Sequence, residues 1–228
     1  MRRLSKVNSV WSAHLAYAIG LIATDGCLSK NGRSINFTSK DKQLVVLFKH
    51  CLNVNNKIGR KKRNQEKEKK YYYVQVGDKN FYEFLLNIGL TPAKSKTIGP
   101  LKIPPLYFSD FFRGSIDGDG SIGIFYHPES VHPQLQLRLY SASIHFLQWI
   151  KQALEHHTKV KGGWIAKMDR VFALRYAKED AIKLLKFMYY ADDVPCLRRK
   201  YMMARPFLGT ILKFIESLHF TSGIATPR

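Results

Sequence analysis

The chain has 228 residues, 45% of them hydrophobic, and its 37 Lys and Arg against 17 Asp and Glu give a formal net charge of +20 at pH 7. Such an excess implies a polyanionic partner, nucleic acid ahead of an anionic membrane surface, since no apolar run is long enough to span a bilayer and Met1-Arg-Arg-Leu carries no secretory pattern. Cys27, Cys51 and Cys196 lie far apart without a Cys-x-x-Cys pair, which argues for a reducing, intracellular setting and against a disulfide framework or zinc site.

In chain order, the apolar segment Ser12-Ala-His-Leu-Ala-Tyr-Ala-Ile-Gly-Leu-Ile predicts a short buried helix, opened by Ser12 as N-cap and ending at Asp25-Gly26. From Arg33 to Thr38 the residues alternate, with Ile35 and Phe37 facing a core and Ser34, Asn36 and Thr38 facing out. Arg60-Lys-Lys62-Arg63 through Lys67, Lys69 and Lys70 leads into Tyr71-Tyr-Tyr-Val-Gln. It reads as a hairpin whose tip reaches phosphates while Tyr71, Tyr73 and Gln75 continue the exposed face. Gly99-Pro-Leu-Lys-Ile-Pro104-Pro105-Leu is a joint, because prolines do not sit inside a helix or central strand. Beyond it, Ser109 or Asp110 opens a second short helix that again ends in Asp119-Gly120.

Gln134 to Tyr140 alternates in turn, with Leu135, Leu137 and Leu139 inward and Gln134, Gln136, Arg138 and Tyr140 outward. Such side chains read base edges in a major groove, arginine pairing with guanine and glutamine with adenine. Lys159-Val-Lys161-Gly-Gly-Trp164 through Lys167, Arg170 and Arg175 is the matching basic region, with Gly162-Gly163 as a turn, and Lys30 and Arg33 join the same DNA-facing set. His127, His132, His156 and His157 lack metal-ligand spacing tied to a carboxylate and are expected on the surface or on phosphates. Leu208 to Arg228 holds a candidate helix, Thr210 to Leu218, to which no role is assigned.

The chemistry sits at the two helix ends. Gly20-Leu-Ile-Ala-Thr-Asp25-Gly26 returns as Gly114-Ser-Ile-Asp-Gly-Asp119-Gly120, and small residues at helical spacing (Ala16, Gly20 and Thr24; Gly114 and Gly118) let two such helices approach closely. Side by side they bring Asp25 and Asp119 together at helix C-termini, where partial negative charge makes a carboxylate unfavourable. A hard divalent cation reverses that sign, since carboxylates and backbone carbonyls, here at Thr24 and Gly118, are the oxygen ligands that suit Mg²⁺. A single Asp-Gly after an apolar run is ordinarily a turn with a glycine cap, but two copies with matching flanks ask for more. An EF-hand reading of Asp117-Gly-Asp119-Gly-Ser121 fails, because Ile122 stands where that loop needs glycine and Pro128 where it needs glutamate.

These residues resemble the LAGLIDADG homing endonucleases in their single-chain, two-motif form. The nine-residue motif is matched by Ala18 to Gly26 and by Phe112 to Gly120, with departures at Ala18, Ile19, Ala23 and Thr24 in the first copy and at Phe112, Arg113, Ser115 and Gly118 in the second. The resemblance runs from about residue 12 to 205 and implies that the last acid of each motif, Asp25 and Asp119, is a metal ligand. Ile35 to Asp41 followed by Leu44 to Phe48 is similar to the family's second strand and second helix, and Leu137 to Ser143 followed by Phe146 to Ile150 is the counterpart. The resemblance places a polar pair at each strand end beside the metal, Ser39 and Lys40 in one half and Ser141 and Ala142 in the other, so the second half lacks the lysine. Lys94-Ser-Lys96 and Arg198-Arg-Lys200 resemble the basic segment that supplies a further cation, assigned to Lys94 and Arg198.

The expectation is an α+β protein of two pseudo-symmetric αββαββα repeats, residues 1–98 and 108–207, joined by a proline-rich linker over 99–107 and followed by an extension, 208–228. Its motif helices pack at the centre, and two antiparallel sheets form a saddle over duplex DNA. The resemblance implies a monomeric, site-specific DNA endonuclease that cuts one phosphodiester on each strand with Mg²⁺, for which Mn²⁺ substitutes while Ca²⁺ binds without supporting cleavage. In it Lys40, Lys94 and Arg198 offset developing charge or orient water, and Ser39 and Ser141 position that water. The alternatives are a maturase that binds its intron RNA and a regulator that keeps the fold without cleaving. Neither needs two carboxylates facing each other near phosphates.

Overall fold

Ser12 keeps its own backbone extended while its hydroxyl accepts a hydrogen bond from the Leu15 amide at 3.1 Å, which opens helix α1, Ala13–Asp25. The structure, a computed structural model, describes residues 5–62, 68–125 and 134–209; the candidate helix Thr210 to Leu218, His127 and His132 lie outside them. Every residue of α1 from Leu15 to Ala23 is buried, so the helix is apolar all round and sits at the centre of the molecule.

Strands β1, Gly26–Leu28, and β2, Ser34–Ser39, follow at once, then α2, Lys42–Cys51, β3, Gly59–Lys61, β4, Tyr71–Gly77, and α3, Lys79–Asn87. The four strands form one antiparallel sheet in the order β1-β2-β4-β3. Asp78 caps α3 through the Phe81 amide at 2.9 Å, and its other oxygen accepts from the amides of Lys6 and Val7 at 2.6 and 2.9 Å, tying the start of the chain to the sheet. The second half repeats the order with α4, Phe108–Asp119, β5, Gly120–Phe125, β6, Gln134–Ser141, α5, Ile144–Thr158, β7, Trp164–Lys167, β8, Phe172–Ala177, α6, Lys178–Met188, and α7, Arg198–Leu208. Its sheet runs β5-β6-β8-β7, again antiparallel throughout. The inner faces, Ile35, Phe37, Val74 and Val76 on one sheet and Leu135, Leu137, Leu139 and Leu174 on the other, are buried against the helices. This is the α+β architecture of two αββαββα repeats that the family resemblance implies.

Two local expectations need correction. Helix α4 begins at Phe108, ahead of Ser109 or Asp110, because the 3₁₀ turn Pro105–Tyr107 feeds straight into it and no side chain caps it. Gly162-Gly163 lies before β7, with Gly163 at φ +87, while the β7–β8 hairpin turns at residues 168–171, closed by Met168 N–H to the Val171 carbonyl at 2.8 Å.

The central contact is α1 against α4. A Cβ on Gly20 would strike the Phe111 carbonyl and lie 2.7 Å from the Ser115 nitrogen; one on Gly114 would strike the Tyr17 carbonyl, and one on Gly118 the Thr24 hydroxyl. These pairs advance together along both helices, so α1 and α4 are parallel and in backbone contact, and Asp25 and Asp119 leave the pair at the same end.

Because the neighbouring atoms at Gly20 and Gly114 are backbone, neither can rotate away. Gly20→Ala or Gly114→Ala should therefore lose about 3 kcal/mol or more in urea denaturation. Gly77→Ala, with nothing within 4 Å of its added carbon, should remain within experimental error of the parent.

Candidate metal centre and nucleic-acid interface

Each acid-bearing helix end is held by a buried ammonium group. Lys94, in the 3₁₀ turn Lys94–Lys96, is 5% exposed and donates to the Gly26 carbonyl at 2.6 Å. Lys200 of α7 is 5% exposed and donates to the carbonyls of Ile116, Asp117 and Gly120 at 2.5, 2.9 and 2.7 Å. Lys94 thus binds the first residue past α1, and Lys200 binds both the last turn of α4 and the first residue past it. Burial pushes the Lys94 ammonium below its ordinary pKa, while Cys27, Asp119 and Asp25 pull it back up. For Lys200 burial dominates and Arg199 adds to it, against the pull of Asp117, Asp119 and Asp25, leaving a pKa of about 8. Each ammonium thus feels both acids, which places Asp25, Asp119, Lys94 and Lys200 in one electrostatic cluster.

Lys200, and not Arg198, is the cation that α7 buries at the second helix end. Arg198 is exposed, because α7 turns its inner face to the core through Lys200, Ala204 and Leu208, one helical turn apart. Arg199 is exposed too and pairs with Asp41 at 3.2 Å, linking α7 to the start of α2. The remaining strand-end residues lie where the sequence puts them in the topology. Ser39 and Ser141 accept from the Asp41 and Ser143 amides, both at 3.1 Å, and the exposed Lys40 ammonium stands 5.4 Å from the centroid of the Tyr71 ring.

Among the described residues no group of three or more His, Cys, Asp or Glu side chains could hold a metal. Two carboxylates with helix-end carbonyls make a sparse, hard, all-oxygen donor set. That set fits Mg²⁺, which keeps several waters and takes up substrate phosphates, and it does not fit a closed zinc cage. The Thr24 hydroxyl is turned back onto the Gly20 and Leu21 carbonyls at 3.2 and 3.1 Å, so Thr24, like Gly118, has only its backbone carbonyl to offer.

The outer sheet faces follow the predicted alternation in part. Asn36 stands opposite Cys27 on one side and the exposed Gln75 on the other. Tyr73 lies under the Lys61 ammonium at 5.4 Å, and Arg60 covers Tyr72 at 5.3 Å. Lys30, Arg33, Arg60 and Lys62 are exposed. Ser34 and Thr38 correct the expectation, being only 4% and 5% exposed: Ser34 accepts from Asn31 at 3.1 Å in the β1–β2 turn, and Thr38 is covered beside Tyr73. Tyr71 is buried as well, beneath Lys40. On the second sheet Gln134, Gln136, Arg138, Tyr140 and Arg175 are half-buried, and Lys161, Lys167 and Arg170 are exposed. The Arg138 guanidinium donates to Gln136 and lies 4.2 Å from the centroid of Phe125, which fixes its direction on the outer face. His157 stacks on Phe108 at 4.8 Å and is a packing residue, whereas His156 is exposed.

Residues 12–89 match the model of the LAGLIDADG-like domain. No curated protein sequence matches the chain. Among solved structures, I-DmoI in complex with DNA and Ca is 19% identical, with a TM-score of 0.55 over 85% of this chain and 97% of that one. I-DmoI in complex with DNA and Mn is 20% identical, with a TM-score of 0.52 over 79% and 98%. Full-length DUF199/WhiA from Thermatoga maritima is 14% identical, with a TM-score of 0.53 over 97% and 73%. The first repeat is a LAGLIDADG-like domain, and the chain has the two-motif LAGLIDADG fold.

The lowered pKa of Lys200 carries a stability signature. Between about 8 and the ordinary lysine value of 10.5 the unfolded chain binds the proton that the folded one has lost, so Lys200 adds stability as pH rises through that window and costs stability below it. In metal-free protein, the stability of the parent relative to Lys200→Met should rise by roughly 1–3 kcal/mol from pH 7.5 to 10.5 in urea titrations. A flat difference would show that the Lys200 ammonium is not desolvated.

Proposed function

We propose that the protein is a site-specific double-strand DNA endonuclease dependent on a divalent cation. The observation that carries this reading is the meeting of Asp25 and Asp119 at one end of two parallel helices, flanked by buried Lys94 and Lys200, where both sheets begin. The fold alone does not assign the activity, since homing endonuclease I-DmoI and WhiA both share it. A DNA or RNA binder has no use for two carboxylates aimed at phosphates, and their retention favours cleavage over the regulator or maturase readings.

Asp25 and Asp119, with the neighbouring backbone carbonyls, would hold Mg²⁺ or Mn²⁺, which when bound neutralises phosphate charge and lowers the pKa of water. Ca²⁺ fits the same oxygens and is expected to support binding alone. The protein's own groups do the rest. Lys94 and Lys200 fix the helix ends and oppose the charge that develops on a phosphate. Ser39 and Ser141, each tethered by an amide two residues on, orient water at the strand ends, and Lys40, exposed above the Tyr71 ring, is the further cation of the first half. Arg138, Gln136, Gln134, Tyr140, Asn36, Gln75 and Tyr73 face the grooves, and Lys30, Arg33, Arg60, Lys62, Lys161, Lys167, Arg170 and Arg175 reach the backbone.

Selection of cleaved sites from a randomised duplex library in Mg²⁺ tests the activity and finds the target together. Asp25→Asn or Asp119→Asn should abolish double-strand cleavage of that target and leave DNA affinity within a few-fold. Full cleavage by either variant would remove the proposed metal centre.

The basic faces also predict a steep salt response. If six to ten phosphates are neutralised, log Kd should change with log salt at a slope of roughly 5 to 9 in magnitude. A slope near zero on duplex, or tighter binding to structured RNA, would overturn the duplex reading.

A further inference from the structure

The two repeats differ most at the strand ends beside the acids. In the first, Ser39 pairs with Tyr72 across β2 and β4, and one step further out the Lys40 ammonium rests 5.4 Å from the centroid of the Tyr71 ring. In the second, Ser141 pairs with Phe172 across β6 and β8, and the same step brings Ala142 towards Val171. Lysine and tyrosine have become alanine and valine. The corresponding space is open in the second half, as a cavity of about 210 Å³ that runs between Ala142, Val171, Phe146 and Ile98 and reaches Ser141 and Asp119.

The lining discriminates among occupants. Asp119 is the single charged residue on the wall, which disfavours a phosphate or any other anion. The side-chain oxygens of the wall, from Thr24, Ser95, Tyr140, Ser141 and Asp119, suit the cationic end of an occupant, whereas Phe146, Ile98, Val171 and Ala142 present hydrocarbon side chains that add nothing to the shell of a bare divalent cation. A cationic head on a short hydrocarbon body satisfies both parts, with the head towards Asp119 and the Ser141 hydroxyl and the methylenes against the apolar wall. Lys94, beside Ser95 of the same wall, does not fill this role, because its ammonium is committed to the Gly26 carbonyl at 2.6 Å.

We propose that this cavity binds a small primary alkylammonium ion, the group that ends an aliphatic polyamine, in the place of the lysine side chain that the second repeat lacks. Its catalytic consequence rests on the endonuclease reading: the strand cut at Asp119 is the slower one, and the bound ion speeds it. n-Butylammonium is the natural probe, since it is a lysine side chain detached from its backbone.

Two measurements separate the proposal from the reading beneath it. In chelator-treated protein, n-butylammonium should shift the methyl NMR signals of Ala142 and Val171 saturably, and tetramethylammonium, which cannot donate a hydrogen bond, should not. Ala142→Lys, or Val171→Tyr if the first variant folds poorly, should abolish that shift. With Mg²⁺ and an end-labelled duplex at constant ionic strength, one strand should lag in the parent, and n-butylammonium should accelerate that strand alone by about tenfold. Absence of saturable binding, equal effects of the two cations, or acceleration of both strands overturns the proposal. Saturable binding without cleavage of either strand supports the site and overturns the nuclease reading instead.

Discussion

The molecule is organised by a backbone contact between two parallel helices. Gly20, Gly114 and Gly118 let α1 and α4 approach until carbonyl, amide and hydroxyl groups of one helix occupy the space where the other's side chains would stand. Parallel packing aligns both helix dipoles, so two negative ends and two carboxylates meet, an arrangement that is repulsive on its own. The next residues, Gly26 and Gly120, open the first strand of each sheet, so both sheets start from the site. Position of the acids and position of the outer faces are consequences of one approach distance.

What makes the repulsive end tolerable is local and protein-made. Lys94 and Lys200 arrive from different elements, a 3₁₀ turn and a helix, yet both place a desolvated ammonium on the carbonyls just past the acids. The two ammonium groups offset much of the charge of Asp25 and Asp119 before any cation enters, although Lys200 is shared with the buried Asp117 carboxylate. A divalent cation therefore gains most when a phosphate enters with it, because the phosphate restores the negative charge that the lysines have offset. On the proposed endonuclease reading, metal and nucleic acid would bind cooperatively, and the lysines would set the degree.

The motif helices and the strand alternation were legible because each rests on local periodicity, whereas their assembly into two αββαββα repeats was implied by the family resemblance. The burial of Lys200 ahead of Arg198 was not legible, because Arg198, Arg199 and Lys200 are equivalent by composition and differ only in helical phase. Spacing alone does not choose among them, since Arg199 leads to Met203 and Phe207 at the same four-residue interval at which Lys200 leads to Ala204 and Leu208; the choice is made by the packing of α7, which buries the Lys200 phase. Ser34 and Thr38 were misread for a different reason. Alternation tells which side of a sheet a residue faces, but burial on that side depends on the turn and the neighbouring strand, here Asn31 and Tyr73. The polar contacts of α4 were likewise invisible, since their partners come from distant segments.

Those contacts show that the pseudo-symmetry is broken inside the protein as well as at the site. Arg113, fully buried, donates to Asp110 and to the carbonyls of Met188 and Pro195, where the first repeat has Ile19 and Ala16 in the matching motif positions. Tyr17 donates to Asp117 at 2.7 Å, and the same carboxylate accepts from the Leu197 amide at 2.7 Å. The mirror-related pair, Phe111 and Ala23, has neither hydroxyl nor carboxylate. Two copies of the first repeat could not form this bond, and two copies of the second would bury Asp117 opposite a phenylalanine with its tyrosine partner gone, at a cost of order 1–3 kcal/mol for each unpaired group. The interface thus accepts one pairing, α1 with α4. Once the pairing is fixed, each half is free to diverge, and the loss of a lysine and a tyrosine beside Asp119 is a divergence that a symmetric dimer could not carry on one side alone.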